Sequence, residues 1–295
     1  MTMLFLGDYA YSSWSLRAWL LFRRFGIDTD ITLVNFSEAA VAEQMAAISP
    51  ARTVPTYVVA DGTVIWDSLA IAEELADRFP AAGIWPDAPA ARATARALAA
   101  EMHSGFTALR GFCPMNLRLA YADCAPPPEV LADVARIEAI WTHARARFGA
   151  AGPWLCGRYS AADAFFAPVA ARIAGYSLPV GPEAAAYVAA HLADPAFRRF
   201  RAMGLVRGQD LARYAQPYAG IPWPGPAPRP ARAVASAPSE NAACPYSGDP
   251  VTDFLECEGR VFGFCNPFCR DKTAADPEAW PDFMALLGAP PAGPR

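Results

Sequence analysis

The chain has 295 residues, of which 54% are hydrophobic and 18% charged, and a formal net charge of −4. That composition builds packed cores rather than disordered chain, and the length predicts two or three domains. The acidic balance gives no case for nucleic acid, no run of about 18 apolar residues predicts a membrane span, and a single lysine, Lys272, argues against Schiff-base chemistry.

The chain begins with a short apolar run, Met3 to Leu6, that reads as a strand. It is too short for a secretory signal, and Asp8 interrupts its flank. The seven cysteines are therefore read as thiols or metal ligands, and the chain as cytoplasmic. Next, Tyr11-Ser12-Ser13-Trp14-Ser15-Leu16-Arg17 opens an amphipathic segment ending near Phe25. Serine caps helices well, and the free N–H groups and dipole at a helix start favour an anion. Arg17 is expected in ion pairs, and Arg23-Arg24 at a solvated helix end.

Residues 36–50 carry apolar positions at helical spacing (Ala39, Val41, Ala42, Met45, Ile48). Val54-Pro55 then starts a β-rich run, since proline is confined to the beginning or edge of a strand, and a cis bond suits that place. A turn at Asp61-Gly62, the run Thr63 to Trp66, and Asp67-Ser68 opening a helix to Phe79 complete an α/β unit over residues 1–80. A Pro-rich connector containing Trp85-Pro86 closes it.

From residue 90 the pattern is helical. Segments 91–110, 129–148, 164–173, 182–193 and 195–207 make an all-α bundle over residues 90–215. Ser160 and Asp163 have capping-box spacing, which gives Asp163 a structural role. Residues 216–242 are rich in proline and read as a linker. Residues 243–290 then hold four of the seven cysteines: Cys244, Cys257, Cys265 and Cys269. Segments 253–256 and 260–264 flank Gly259 and read as a hairpin, and Asp276-Pro277 begins a terminal helix. Cys113, Cys124 and Cys156 read as packing residues.

The order strand, Ser12 helix, Val54-Pro55 strand, hairpin and Asp67-Ser68 helix start resembles the thioredoxin-like domain of glutathione transferases, closest to serine-type, zeta-like bacterial members. The all-α region resembles their second domain. This resemblance implies that Val54, Pro55, Asp67 and Ser68 bind glutathione as co-substrate. It also implies that Ser12 donates to the thiolate, with Ser13 the alternate donor, and that the chain is a homodimer. Tyr11, Trp14, His103, Phe106 and Arg110 fall where the family lines its electrophile pocket, although His103 reads first as a hydrogen-bonded structural group. Related redox proteins carry Cys-x-x-Cys where Ser12 to Ser15 stand, so dithiol exchange is not expected here.

The tail resembles the small treble-clef-like TRASH or YHS metal modules in Cys244-Pro245, in Phe264 to Cys269 with its Cys-x-x-x-Cys, and in Asp276-Pro277. That implies a zinc held by Cys244, Cys265 and Cys269. Cys257 is the nearest candidate for a fourth thiolate, although it is not clearly part of the pattern; otherwise water or a carboxylate such as Asp249 completes a tetrahedron. Fifty residues have too small a core to fold unaided, which favours a metal. The expected function is transfer of the glutathione thiolate to a small electrophile. The rivals are a glutathione-dependent isomerase of zeta type and a non-catalytic glutathione- and metal-binding adaptor.

Overall fold

The computed structural model describes residues 2–235 and 238–289. The first unit runs β1 (Met3–Leu6), α1 (Ser13–Arg23), β2 (Asp30–Leu33), α2 (Val41–Gln44), β3 (Thr56–Val58), β4 (Val64–Trp66) and α3 (Ser68–Arg78). Its sheet has the order β2-β1-β3-β4, with β1 and β2 parallel and the other pairs antiparallel. This is the expected thioredoxin-like arrangement. Leu4 and Leu6 alternate inward from β1 and meet Leu16, Leu20 and Phe22 of α1. The Val54–Pro55 bond is cis, and β3 starts immediately after it.

The helical unit comprises α4 (Pro89–Ser104), α5 (Thr107–Phe112), β5 (Ala120–Tyr121), α6 (Pro128–Phe148), α7 (Ala161–Gly175), α8 (Pro182–Ala193) and α9 (Pro195–Val206). Helix α7 is buried along nearly its whole length and packs on α1, α4 and α8. The Ser160–Asp163 capping box is present, and the buried Asp163 carboxylate also accepts from the Leu155 N–H at 3.0 Å and the Tyr187 hydroxyl at 2.9 Å. Asp163 is structural, as its spacing implies.

Several sequence expectations are corrected. Residues 36–50 form only α2 and one 3₁₀ turn, Ala46–Ile48, because their apolar positions cover a small satellite core around Val34, Met45 and Ala51. The 91–110 segment breaks at Gly105, where a Cβ would lie 2.7 Å from the Glu101 carbonyl, and at Phe106, in the left-handed region at φ 55°. Arg24 is not at a solvated end: it pairs with the buried Asp194 at 3.0 Å and stacks over Tyr159 at 4.3 Å.

The 216–242 stretch is more than a linker. Its β6 (Gly220–Ile221) pairs with β5, Trp223 lies under Arg201, and β7 (Ala231–Val234) joins the tail. There β8 (Asp253–Cys257) and β9 (Arg260–Phe264) form the expected hairpin, and β7 covers the free edge of β8. The tail continues with α10 (Pro267–Ala275) and α11 (Pro281–Gly288), and Phe262 and Phe264 pack on Phe283. It docks on α9, where Arg198 holds Asp276 through two hydrogen bonds of 2.7 and 2.8 Å. No helix among the described residues is long and apolar enough to cross a membrane.

Candidate functional site

A cavity of about 430 Å³ opens between the α/β unit and the helical bundle. Tyr11, Ser12, Ser13, Trp14 and Val54 form one wall. Arg110, Arg172 and Tyr214 form the other, and Tyr214 stacks on Tyr11 at 4.5 Å.

The two serines are held differently. Ser12 caps α1: its Oγ accepts from the Ser15 N–H at 3.3 Å and donates to Ser15 Oγ at 2.8 Å, while the Gly7 N–H also donates to Ser15 Oγ. The Ser12 hydroxyl thus stays at the positive end of the helix. Ser13 Oγ turns to the helical bundle and accepts from Arg172 Nη2 at 3.0 Å.

Three arginines surround this point without a carboxylate within ion-pair distance among the described residues. Arg172 is buried in α7 and gives its other bonds to the Cys113 and Pro168 carbonyls at 2.7 and 3.1 Å. Burial pushes its pKa down to about 10. Arg17 is buried between the Trp14 and Phe165 rings, and its Nε and Nη1 have no hydrogen-bond partner among the described residues. Burial, with repulsion from Arg172 and Arg110, pushes Arg17 down to about 9. The expected ion pairs of Arg17 are therefore absent. Arg110 lies 4.6 Å over the other occupant of this stack, Trp14, and burial lowers its pKa as well. Arg110 and Arg172 wall the cavity, and Arg17 is buried against Trp14, which walls it too.

Asp67 caps α3 from a left-handed backbone, φ 85°, its Oδ1 accepting from the Leu69 N–H at 2.7 Å. Such a conformation costs about 1–3 kcal/mol in a non-glycine residue and concentrates at functional sites. His103 Nε2 lies 3.2 Å from Asp67 Oδ2, so this histidine positions Asp67 and does not wall the cavity. The neighbouring Ser68 hydroxyl is fully buried and has no partner among the described residues.

Of the residues expected in the electrophile pocket, Tyr11, Trp14 and Arg110 wall the cavity, whereas His103 and Phe106 do not. Phe106 is buried in the core at the start of α5. Arg172 and Tyr214 were not anticipated. The signal for Arg172 was the single charge in α7 beyond the capping Asp163, and Tyr214 has no signal in sequence.

This architecture agrees with comparison to known proteins. Residues 11–78 match the family model described as glutathione S-transferase, N-terminal domain. A probable maleylacetoacetate isomerase of Caenorhabditis elegans is 34% identical over 105 residues, 36% of this chain and 48% of that protein. The match thus spans about half the length of the curated relative. Among solved structures, a glutathione transferase homolog from Burkholderia with bound glutathione superposes with a TM-score of 0.52 at 22% identity, covering 69% of this chain and 97% of the other. A glutathione transferase from Methylococcus capsulatus gives 0.52 at 22% identity, covering 70% of this chain and 100% of the other. These similarities show the glutathione transferase fold.

Beyond the transferase-like cleft, the tail gathers three sulfurs. Cys244, Cys265 and Cys269 have ligand atoms all within 4.8 Å of one another. Thiolates about 2.3 Å from a tetrahedral zinc lie about 3.8 Å apart, and Cys265 and Cys269 are separated by 4.0 Å. Asn266 Nδ2 and Ser247 Oγ both donate to Cys265 Sγ, at 3.2 and 3.4 Å, as suits a metal-bound thiolate. Burial opposes ionisation of Cys244, but backbone N–H groups of Tyr246, Cys265 and Ser247 outweigh it and bring its pKa to about 7. Cys257 is not part of this group. It pairs with Arg260 at the turn end of the hairpin, whereas Cys265 follows Phe264 at the open end, about 16 Å away along the strands. Asp249 likewise does not join the sulfurs; its carbonyl accepts from the Cys244 N–H.

Proposed function

We propose that this protein is a glutathione-dependent enzyme that presents the glutathione thiolate to a small electrophile bearing a carboxylate. The observation that carries this reading is the pair Arg110 and Arg172, which wall the cavity beside the serines, with Arg17 buried against Trp14 and none of the three in an ion pair among the described residues. In this reading the Val54 backbone pairs with the cysteinyl part of glutathione beside Pro55, as an added strand. Asp67 takes the γ-glutamyl ammonium, and Ser68, whose hydroxyl lacks a partner, takes its carboxylate with a helix-start N–H. Ser12 donates to the thiolate; Ser13, turned to α7, holds Arg172 for the electrophile's acid group. A hydrogen bond to a charged group contributes about 1.5–3 kcal/mol, so Ser12 and the helix dipole would lower the thiol pKa by about one to two units.

The relative described as an isomerase supports a second form of the same chemistry, in which glutathione adds, the adduct rearranges and glutathione leaves unchanged. Product analysis separates the two: conjugation consumes one glutathione per turnover, and isomerisation consumes none. Calorimetry with glutathione on the wild type and Asp67→Ala tests the binding site. Equal affinities would remove Asp67 from it.

We further infer that Cys244, Cys265 and Cys269 hold a structural zinc, whose soft thiolate donors suit that ion and whose binding would drive the tail to fold. A homodimer is supported by the exposed Trp66 and Phe79, and a reducing, cytoplasmic setting by seven free cysteines.

A further inference from the structure

Lys272 is the only lysine in the chain, beside 24 arginines and three histidines. It lies on α10 three residues after Cys269 and is only 9% exposed. Its ammonium is boxed by aromatic rings, 4.2 Å from the centres of Tyr246 and Trp280 and 5.4 Å from that of Phe268. The box is braced. Trp280 Nε1 donates to the Lys272 carbonyl at 3.1 Å, and the Tyr246 hydroxyl bonds to the buried Thr273 hydroxyl at 2.5 Å.

A buried ammonium needs a counter-charge, and ring faces attract a cation without neutralising it. Among the described residues no carboxylate lies within ion-pair distance of Lys272. The groups that favour its charge are the sulfurs of Cys269, one helical turn before it on α10, and of Cys244 and Cys265, each able to become an anion on a metal, while Arg199 opposes it. Three thiolates around a divalent ion leave one net negative charge, and one fixed ammonium cancels it. A compact ammonium point charge suits this task, and any side chain that keeps the positive charge in the box keeps most of the balance.

We propose that Lys272 is the charge-balancing residue of a divalent Cys244–Cys265–Cys269 centre, its ammonium fixed beside the thiolates by the Tyr246–Phe268–Trp280 box. The inference rests on the metal reading of that triad. As zinc binds, three metal–sulfur bonds form, the protons still on sulfur leave to solvent, and the ammonium keeps its own. Lys272 touches no metal and acts only through its charge.

The test is a charge series in the full chain, with zinc affinity measured by competition against a chromophoric chelator. Lys272→Met should bind zinc about tenfold more weakly and Lys272→Glu about a hundredfold, while Lys272→Arg stays within about threefold of wild type. At saturating cobalt(II), the thiolate-to-metal band of Lys272→Met should match the wild type, because the ligands are unchanged. An affinity of Lys272→Met within about twofold of wild type would overturn the proposal. A second measurement needs no variant: carbon-13 at Lys272 Cε gives a single lysine signal, which should move with one equivalent of zinc. A signal that stays in place while zinc binds overturns the proposal alone. A wild-type protein with reduced thiols that takes up no zinc overturns the metal reading and this inference with it.

Discussion

Arg172 Nη2 donates to Ser13 Oγ at 3.0 Å, joining residues 159 positions apart and tying the start of α1 to α7 across the cleft. All three of its bonds go to neutral acceptors, so its charge is left for a ligand. Replacing it by methionine keeps much of the volume and removes that charge. Arg172→Met is expected to raise the KM for carboxylate-bearing electrophiles by about ten- to a hundredfold, with neutral electrophiles within about threefold of wild type. Steady-state kinetics on such a matched pair is the check. Equal losses on both substrates would make Arg172 a structural residue.

The serines should separate in the same way. Ser12→Ala removes both the α1 cap and the proposed thiolate donor, so it should cost about 1 kcal/mol of stability and raise the pKa of bound glutathione. Ser13→Ala should leave the thiol pKa near the wild-type value and instead weaken anionic electrophiles through Arg172. Ultraviolet titration of bound glutathione measures the first effect. An unchanged pH–rate profile in Ser12→Ala, with a shifted one in Ser13→Ala, would exchange the two roles.

Arg17 should trade stability for function. Burial, first, and the neighbouring arginines hold its pKa at about 9, whereas an unfolded arginine keeps its proton to far higher pH. Below about pH 9 the folded state carries the whole cost of this buried charge. Above it the unfolded chain binds the extra proton, and stability from this residue rises with pH. Arg17→Met should therefore stabilise the protein at pH 7, by about 1–4 kcal/mol, and the gain should shrink as pH rises through 9. Urea denaturation at several pH values reads this directly. Destabilisation at pH 7 would mean that Arg17 has a partner in solution.

Metal content distinguishes the four tail cysteines. Serine at 244, 265 or 269 should abolish stoichiometric zinc and leave the tail unprotected in hydrogen exchange, whereas Cys257→Ser should retain one equivalent and lose only packing at a buried position. Loss of zinc in Cys257→Ser at unchanged fold would restore it to the ligand set.

What could be read in sequence followed from local chemistry. Ser12 before an amphipathic run, Val54-Pro55 before a β-rich run and the Ser160–Asp163 spacing each specify their element within a few residues. The cleft was legible on its α/β side, because Tyr11 to Trp14 are contiguous, and on its helical side only at Arg110, while Arg172 and Tyr214 reach it through tertiary packing that no local pattern encodes. Cys257 misled for a related reason. Its distance from Cys265 is short in sequence, but the hairpin places the two at opposite ends. Proline content hid β7 within residues 216–242, since an edge strand tolerates the prolines on either side of it.

The tail and the cleft share α9, and its removal should be felt at both. Arg198 of α9 grips Asp276 and Glu278, and Arg207, just past the helix end, lies 5.1 Å over the Phe268 ring. The Arg207 carbonyl accepts from Arg118 Nη2, and Arg118 and Tyr11 both reach Asp210, at 3.5 and 3.3 Å. The segment leading from α9 to Tyr214 is thus fastened to the cleft at one side and leans on the tail at the other. A chain ended after Pro230 should remain folded and bind glutathione as the full chain does, because most of the core, from Leu4 to Met203, lies within the α/β and helical units, although tail residues such as Phe262 and Phe283 continue it. It should nevertheless show faster hydrogen exchange over residues 207–214 and a KM for electrophile raised by about threefold, as Tyr214 loses support. Asp276→Asn, which leaves Arg198 without its main counter-charge, should cost about 3 kcal/mol in the full chain. If truncation leaves exchange at 207–214 and the KM unchanged, the tail is energetically independent of the cleft, and its docking on α9 serves only the tail.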